Sequence, residues 1–321
     1  MNHCLTAPFQ TLRVSLTDQC DLKCQYCVDP NKTLSRCQSA PLPLSASQMA
    51  QAVRLLLRNA PVKEIKLTGG EPLLGHHLEH FLEALGPLHG LEINVTTNGQ
   101  QLAEKLSVLK RFGVNRVNIS LDSLDPDCFK ELTGGQLKKT LEGLEQALAQ
   151  GFQVKLNMVP MAGINDSECL SMFEFAAQRG VQVRYIELME MGHLFGEDFR
   201  QKLFDRQQIL EQIGQKHSIT EKHRPQHGTA ELFEVGGFGS FGIIANHSQP
   251  FCNDCDRLRL SATGKLVGCL SSELSYGLSD LLELDKAEAD RAVKPLLYAA
   301  FGTKQQIGFT GSRLAMKAIG G

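Results

Sequence analysis

Cysteines at positions 20, 24 and 27 stand in the run LTDQCDLKCQYCV, and Cys252, Cys255 and Cys269 stand in FCNDCDRLRLSATGKLVGCL. The spacings are C-x3-C-x2-C and C-x2-C-x13-C. Thiols grouped this way suit one inorganic centre each. A closed structural zinc site wants four protein ligands, and a cluster used only for electron transfer usually takes four cysteines. Three thiolates can instead hold three irons of a cubane [4Fe–4S] cluster and leave the fourth iron open to a small molecule. The competing readings are a zinc knuckle at the first group and a zinc ribbon completed by His247 at the second. Cys4, Cys37, Cys128 and Cys169 are isolated, and packing accounts for them.

Other reactive residue types follow β-rich runs. KLTGGEPLL (66–74) joins two glycines, which let backbone approach a ligand closely, to Glu71, which could meet a cationic ammonium. Thr96 and Asn98 in VTTNG, Ser120 in NISLD and Met189 in IELME also close such runs. Arg257 and Arg259 lie two apart, so on a strand they share a face and form a phosphate-binding fork. The alternative is a solvated pair neutralised by Asp254 and Asp256.

Positioning these groups requires a regular frame. Strand patterns at 11–16, 64–68, 91–97, 116–121, 154–159 and 181–188 alternate with amphipathic helical patterns at 45–59, 77–85, 101–112, 137–150 and 166–179. Several helices stop at glycine, as in RFG, AQG and QRG. The alternation predicts βαβ units and a parallel sheet, an α/β fold. Its units are fewer than the eight of a closed barrel, so we expect an open, partial (βα)6 TIM-like barrel with its chemistry at the strand C-termini. Residues 1–191 form this barrel in our reading, and 192–321 form a smaller C-terminal domain carrying the second cysteine group. That domain should hold a helix over 205–214, a hairpin from ELFEVGG to GSFGIIA, and another turned at ATGK. The formal net charge of −2 gives no global attraction to nucleic acid or membrane, so a polyanionic substrate needs a local cationic pocket. No apolar run approaches the ~20 residues of a membrane span, and the start lacks signal-peptide character, so a cytoplasmic location is expected.

C-x3-C-x2-C, then GGEP, then the FCNDCDRLRLSATGK and GCL segments and a terminal Gly-Gly together resemble the GTP 3′,8-cyclase family of the radical S-adenosylmethionine (SAM) superfamily, from about Leu12 to Gly321. The resemblance implies a lyase that converts GTP to 3′,8-cyclo-7,8-dihydro-GTP, the first step of molybdenum cofactor (molybdopterin) biosynthesis. It implies two [4Fe–4S] clusters, on Cys20, Cys24 and Cys27 and on Cys252, Cys255 and Cys269. SAM would meet Tyr26, Gly70, Glu71, Ser120 and Met189, and GTP would meet Arg13, Lys66, Thr96, Lys155, Arg184, Arg257 and Arg259. The tail residues Gly320 and Gly321 would enter the active site. Reductive cleavage of SAM would yield a radical that takes hydrogen from C3′ of GTP, and the sugar radical would attack C8. Implied partners are an electron donor such as flavodoxin or ferredoxin, a downstream cyclic pyranopterin monophosphate synthase, and a second copy in a homodimer. The pattern departs from the family at Gln19, Glu64, Lys66 and Gly75-His76-His77, which thins the cationic lining. The alternatives are a radical SAM enzyme with an auxiliary cluster acting on a peptide or another small molecule, and a zinc-binding structural protein.

Overall fold

Apolar and polar residues alternate along each expected strand, and that alternation sets the two sides of the sheet. The computed structural model of the protein describes residues 8–29 and 42–316. Its first part runs β1 (Thr11–Ser15), α1 (Ala46–Asn59), β2 (Glu64–Thr68), α2 (His77–Leu85), β3 (Glu92–Thr97), α3 (Leu102–Arg111), β4 (Arg116–Ser120), α4 (Pro126–Thr133), α5 (Leu137–Ala149), β5 (Gln153–Met158), α6 (Cys169–Gln178) and β6 (Gln182–Ile186). Leu12, Val14, Ile65, Leu67, Val95, Val117, Ile119, Leu156, Val183 and Tyr185 are buried in the core shared with the helices. Their strand neighbours Arg13, Lys66, Thr96, Asn118, Asn157 and Arg184 point the other way, into a cavity that the curved sheet encloses.

The chain continues through α7 (Glu197–Lys202), α8 (Arg206–Gly214), β7 (Ile219–Lys222), β8 (Glu231–Val235), β9 (Gly239–Ile244), β10 (Arg257–Leu260), β11 (Lys265–Val267), β12 (Tyr276–Gly277) and α9 (Lys286–Gly302). The expected helix and both expected hairpins are here, β8 with β9 and β10 with β11. The strands do not form a sheet of their own. The order is β12-β11-β10-β1-β2-β3-β4-β5-β6-β9-β8-β7. Every pairing from β10 through β1–β6 to β9 is parallel, so the six βα strands gain a parallel neighbour at each end. The sheet remains open, with β12 and β7 at its edges. The strands of the expected C-terminal domain extend the barrel sheet on both sides. The physical cause is in-register pairing, Thr11↔Arg257 to Val14↔Leu260 on one edge and Val183↔Phe241 to Ile186↔Ile244 on the other.

Local signals explain the helix ends. Ser45 and Gln48 form a reciprocal capping box at α1, as Asp205 and Gln208 do at α8. Helix α4 was not expected from the sequence. Asp125 caps it, accepting from the Asp127 and Cys128 amides at 3.0 and 2.8 Å, and Pro126 stands in its first turn. Helix α9 lies on the outer layer beside α1, where Arg58 Nη2 meets Asp290 Oδ1 at 2.9 Å. Among the described residues no helix is long and apolar enough to cross a membrane.

Candidate active site

The parallel strands open at their C-terminal ends into one cavity of about 950 Å³. Cys20, Cys24 and Cys27 line it, as do Tyr26, Gly70, Glu71, Ser120 and Met189. So do Arg13, Lys66, Thr96, Arg184, Arg257 and Arg259. Lys155 does not; it is exposed on β5, below the cavity. Cys252, Cys255 and Cys269 lie just behind the wall, which their neighbours Phe251, Arg257 and Leu270 form. Gly320 and Gly321, like Cys4 and Cys37, lie outside the described residues.

Two elements grip the first cysteine loop. On one side Gly70 N donates to Thr17 O and Glu71 N to Gln19 O, both at 2.7 Å. A Cβ on Gly70 would sit 2.1 Å from Gln19 O, so the glycine serves contact with the cysteine loop's own backbone. The sequence reading had assigned that closeness to a ligand. On the other side Lys23 N donates to Thr133 O at 2.8 Å and Gln25 N to Leu132 O at 2.9 Å, which ties the loop to the end of α4. Tyr26 Oη donates to Asp122 Oδ2 at 2.8 Å, and Val159 N donates to Asp122 Oδ1 at 2.9 Å. Burial pushes Asp122 up to about 6.

Glu71 has its acceptors taken. Thr97 Oγ1 and Asn98 N each donate at 2.7 Å, and Leu73 N donates at 2.9 Å. The buried carboxylate therefore joins the loop after β2 to the end of β3, and burial pushes it up to about 7 against those donors. Its reach toward an ammonium runs through this network.

The donor sets fit iron–sulfur clusters. All six thiols are free. Burial pushes Cys20 up to about 11 and Cys24 well above its ordinary range, a cost that binding an electrophilic metal offsets by holding the thiolate. Among the described residues no three His, Cys, Asp or Glu side chains converge to hold a single metal ion. Three free thiols in each group match the three irons of a cubane whose fourth iron is left to a small ligand. His247, the ligand a zinc ribbon would need, instead packs its ring edge-on to Phe199 at 5.1 Å.

The second group has features that the sequence did not disclose. Lys304 Nζ lies 3.1 Å from Cys255 Sγ, and Arg257 Nη2 lies 3.2 Å from the same sulfur. These cations bring Cys255 down to about 7 despite its burial. Asp254, between two of the cysteines, is clamped by Arg224 Nη2 at 3.1 Å and by the His227 amide and ring. Glu187 anchors the segment before Cys252. Its carboxylate accepts from the His247 and Ser248 amides at 2.8 and 2.9 Å, from Ser248 Oγ, and from the Arg206 amide at 2.9 Å. A glutamate closing a strand that leads into the barrel mouth was the available signal for Glu187.

Crowded cations form the cavity wall. Burial, then Arg257 and Arg184, lowers Arg13 to about 10; burial lowers Arg184 to about 10 and Arg259 well below the usual range. Arg184 is aimed by Asn157 Oδ1 at 2.9 Å and Asn118 Oδ1 at 2.6 Å. Such crowding is tolerable where a polyanion is to be received.

A partial parallel barrel with a three-cysteine loop after its first strand and a GGEP loop after its second defines the radical SAM class. The sequence matches the radical SAM superfamily over residues 14–176 and the Molybdenum Cofactor Synthesis C family over residues 181–308. It is 39% identical to a GTP 3′,8-cyclase of Campylobacter fetus over 82% of this chain and 80% of that one. It is 36% identical to the GTP 3′,8-cyclase of Ectopseudomonas mendocina over 90% and 87%. The chain belongs to the GTP 3′,8-cyclase family. Its fold matches that of Streptococcus suis SuiB bound to S-adenosylmethionine, with a TM-score of 0.62 and 16% identity over 91% of this chain and 68% of that one.

Proposed function

We propose that this chain is a radical SAM lyase that converts GTP to 3′,8-cyclo-7,8-dihydro-GTP, the first step of molybdenum cofactor biosynthesis. One observation carries the reading: Arg13, Lys66, Arg184, Arg257 and Arg259 line a single cavity that has one three-cysteine loop on its wall and a second directly behind it. Cys20, Cys24 and Cys27 would hold one [4Fe–4S] cluster and Cys252, Cys255 and Cys269 the other, each short of a fourth protein ligand. When bound, the clusters and S-adenosylmethionine supply the radical that removes hydrogen from C3′ of the nucleotide.

The protein's part is to bind, orient and exclude water. Tyr26, braced by Asp122, would join Gly70, Glu71, Ser120 and Met189 around S-adenosylmethionine. The arginines would hold the phosphates in forks, with Arg184 aimed by its two asparagines. The tail reaches the mouth: Ser312 bridges to Met191, and Met316 lines the cavity. That approach supports Gly320 and Gly321 as residues that complete the site. Residues 192–321 would act as the unit that carries the second cluster. A flavodoxin or ferredoxin as reductant, a cyclic pyranopterin monophosphate synthase as recipient of the product, a homodimeric assembly and a cytoplasmic location complete the proposal.

The test is anaerobic incubation of the reconstituted protein with GTP, S-adenosylmethionine and a reductant, with chromatographic separation and fragmentation mass spectrometry of the nucleotide to tell the isomers apart. A cyclised product of unchanged mass is expected. Cleavage of S-adenosylmethionine with GTP left intact would overturn the substrate and favour a peptide or another small molecule.

A further inference from the structure

One of the cations that line the cavity, Lys66, is paired with a carboxylate. Glu64 and Lys66 lie two apart on β2 and so share its inner face. Glu64 Oε2 stands 3.0 Å from Lys66 Nζ, and Glu64 Oε1 accepts from Asn94 Nδ2 at 2.6 Å. The carboxylate is about three-quarters buried and held at two points, and it does not itself line the cavity that Lys66 lines. Its influence is not confined to Lys66: it opposes the fall in proton affinity of Arg13, Lys66, Lys155 and Arg184 alike. With no polyanion in the cavity, Glu64 is a counter-charge for this part of the wall. With one present, it becomes a like charge beside the phosphates.

We propose that Glu64 is a specificity-determining residue that weakens the cavity's grip on phosphate in proportion to the phosphate charge bound. The inference rests on the reading of the cavity as a nucleoside triphosphate site. An ammonium has three donors. Lys66 spends one on Glu64 and, because it lines the cavity, has others left for a phosphate, so it can hold both partners at once. A phosphate oxygen on Lys66 would then face the carboxylate across a single nitrogen, where the two negative charges repel with only partial screening, since each side chain is about three-quarters buried. The consequence is a looser nucleotide, and a cyclised triphosphate that leaves more readily. The same repulsion narrows the difference in affinity between guanosine tri-, di- and monophosphate.

The experiment is equilibrium dialysis of GTP, GDP and GMP against anaerobic holoenzyme, comparing the native chain with E64Q and E64K. Glutamine keeps the oxygen that Asn94 donates to and removes the charge; lysine reverses the charge. E64Q is expected to bind GTP about tenfold more tightly, GDP by a smaller factor and GMP almost unchanged, and E64K is expected to exceed E64Q for GTP. Iron and sulfide content equal to that of the native holoenzyme reports that each variant is intact. GTP affinity that is unchanged or weaker in both variants would overturn the role of Glu64, as would an equal gain for all three nucleotides. Failure of both the native holoenzyme and E64Q to prefer GTP over GMP would be a different result: it would remove the triphosphate reading itself, and Glu64's role with it.

Discussion

Cys255 has two cations at its sulfur. Lys304 and Arg257 approach it at 3.1 and 3.2 Å, and the ammonium also donates to the Arg257 carbonyl. Hydrogen bonds and positive charge at a ligand sulfur favour the reduced cluster. K304M should therefore lower the midpoint potential of the second cluster by about 60 mV or more, the equivalent of one charged hydrogen bond. Redox titration followed by electron paramagnetic resonance checks this; an unshifted second cluster would remove Lys304 from the site. Glu71 gives a second prediction at this scale. Its carboxyl is pushed from 4.5 to about 7, so the folded chain holds that proton more tightly than the unfolded chain. The stability from this group is full below the lower value and is lost as pH rises through the higher one, about 3 kcal/mol in total. E71Q should flatten that part of the pH profile in urea unfolding between pH 5 and 8. Equal slopes in E71Q and the native chain would contradict it.

Among elements, the loops that carry the clusters matter more than the strands they follow. Gly70 packs against the backbone of Gln19, one residue before the first cysteine. G70A should force these loops apart, at about 1–3 kcal/mol, with loss of iron from the first cluster and retention of the second. Iron analysis and the spectrum of the remaining cluster decide it; a fully loaded G70A protein would show that the contact is dispensable. The strands and most helices were legible because each buries one face, so a period of 2 or 3.6 is written into the residues. Helix α4 was not, although Asp125-Pro126 at its start and Gly134-Gly135 at its end are helix signals. Its 8 residues give the period little room to repeat. That omission concealed what holds the cysteine loop, since Thr133 and Leu132 accept from Lys23 and Gln25. Similarly, the thiols and arginines were legible from type and spacing, whereas Lys304 reaches Cys255 only because α9 ends beside it.

Across the whole molecule, the least legible feature is the placement of residues 257–260 and 239–244, because strand pairing between distant segments leaves no local pattern. In the structure these segments close both flanks of the six-stranded βα sheet. Leu258, Leu260, Phe241 and Ile243 are fully buried there, so the late part of the chain completes the core of the early part. A fragment of residues 1–191 would leave β1 and β6 as bare edges and would expose the core surface those side chains cover. We therefore expect that fragment to aggregate, or to remain soluble without a cooperative transition, while the intact chain loses its secondary and tertiary signals together. Circular dichroism and size-exclusion chromatography in increasing urea separate these cases. A monomeric fragment that unfolds cooperatively and still binds the first cluster would show that the barrel is a self-sufficient unit. The failure expected instead follows from the order of the sheet, in which the second cluster's strand β10 is hydrogen-bonded to the strand that leads into the first, so that each cysteine group is positioned by the other's half of the chain.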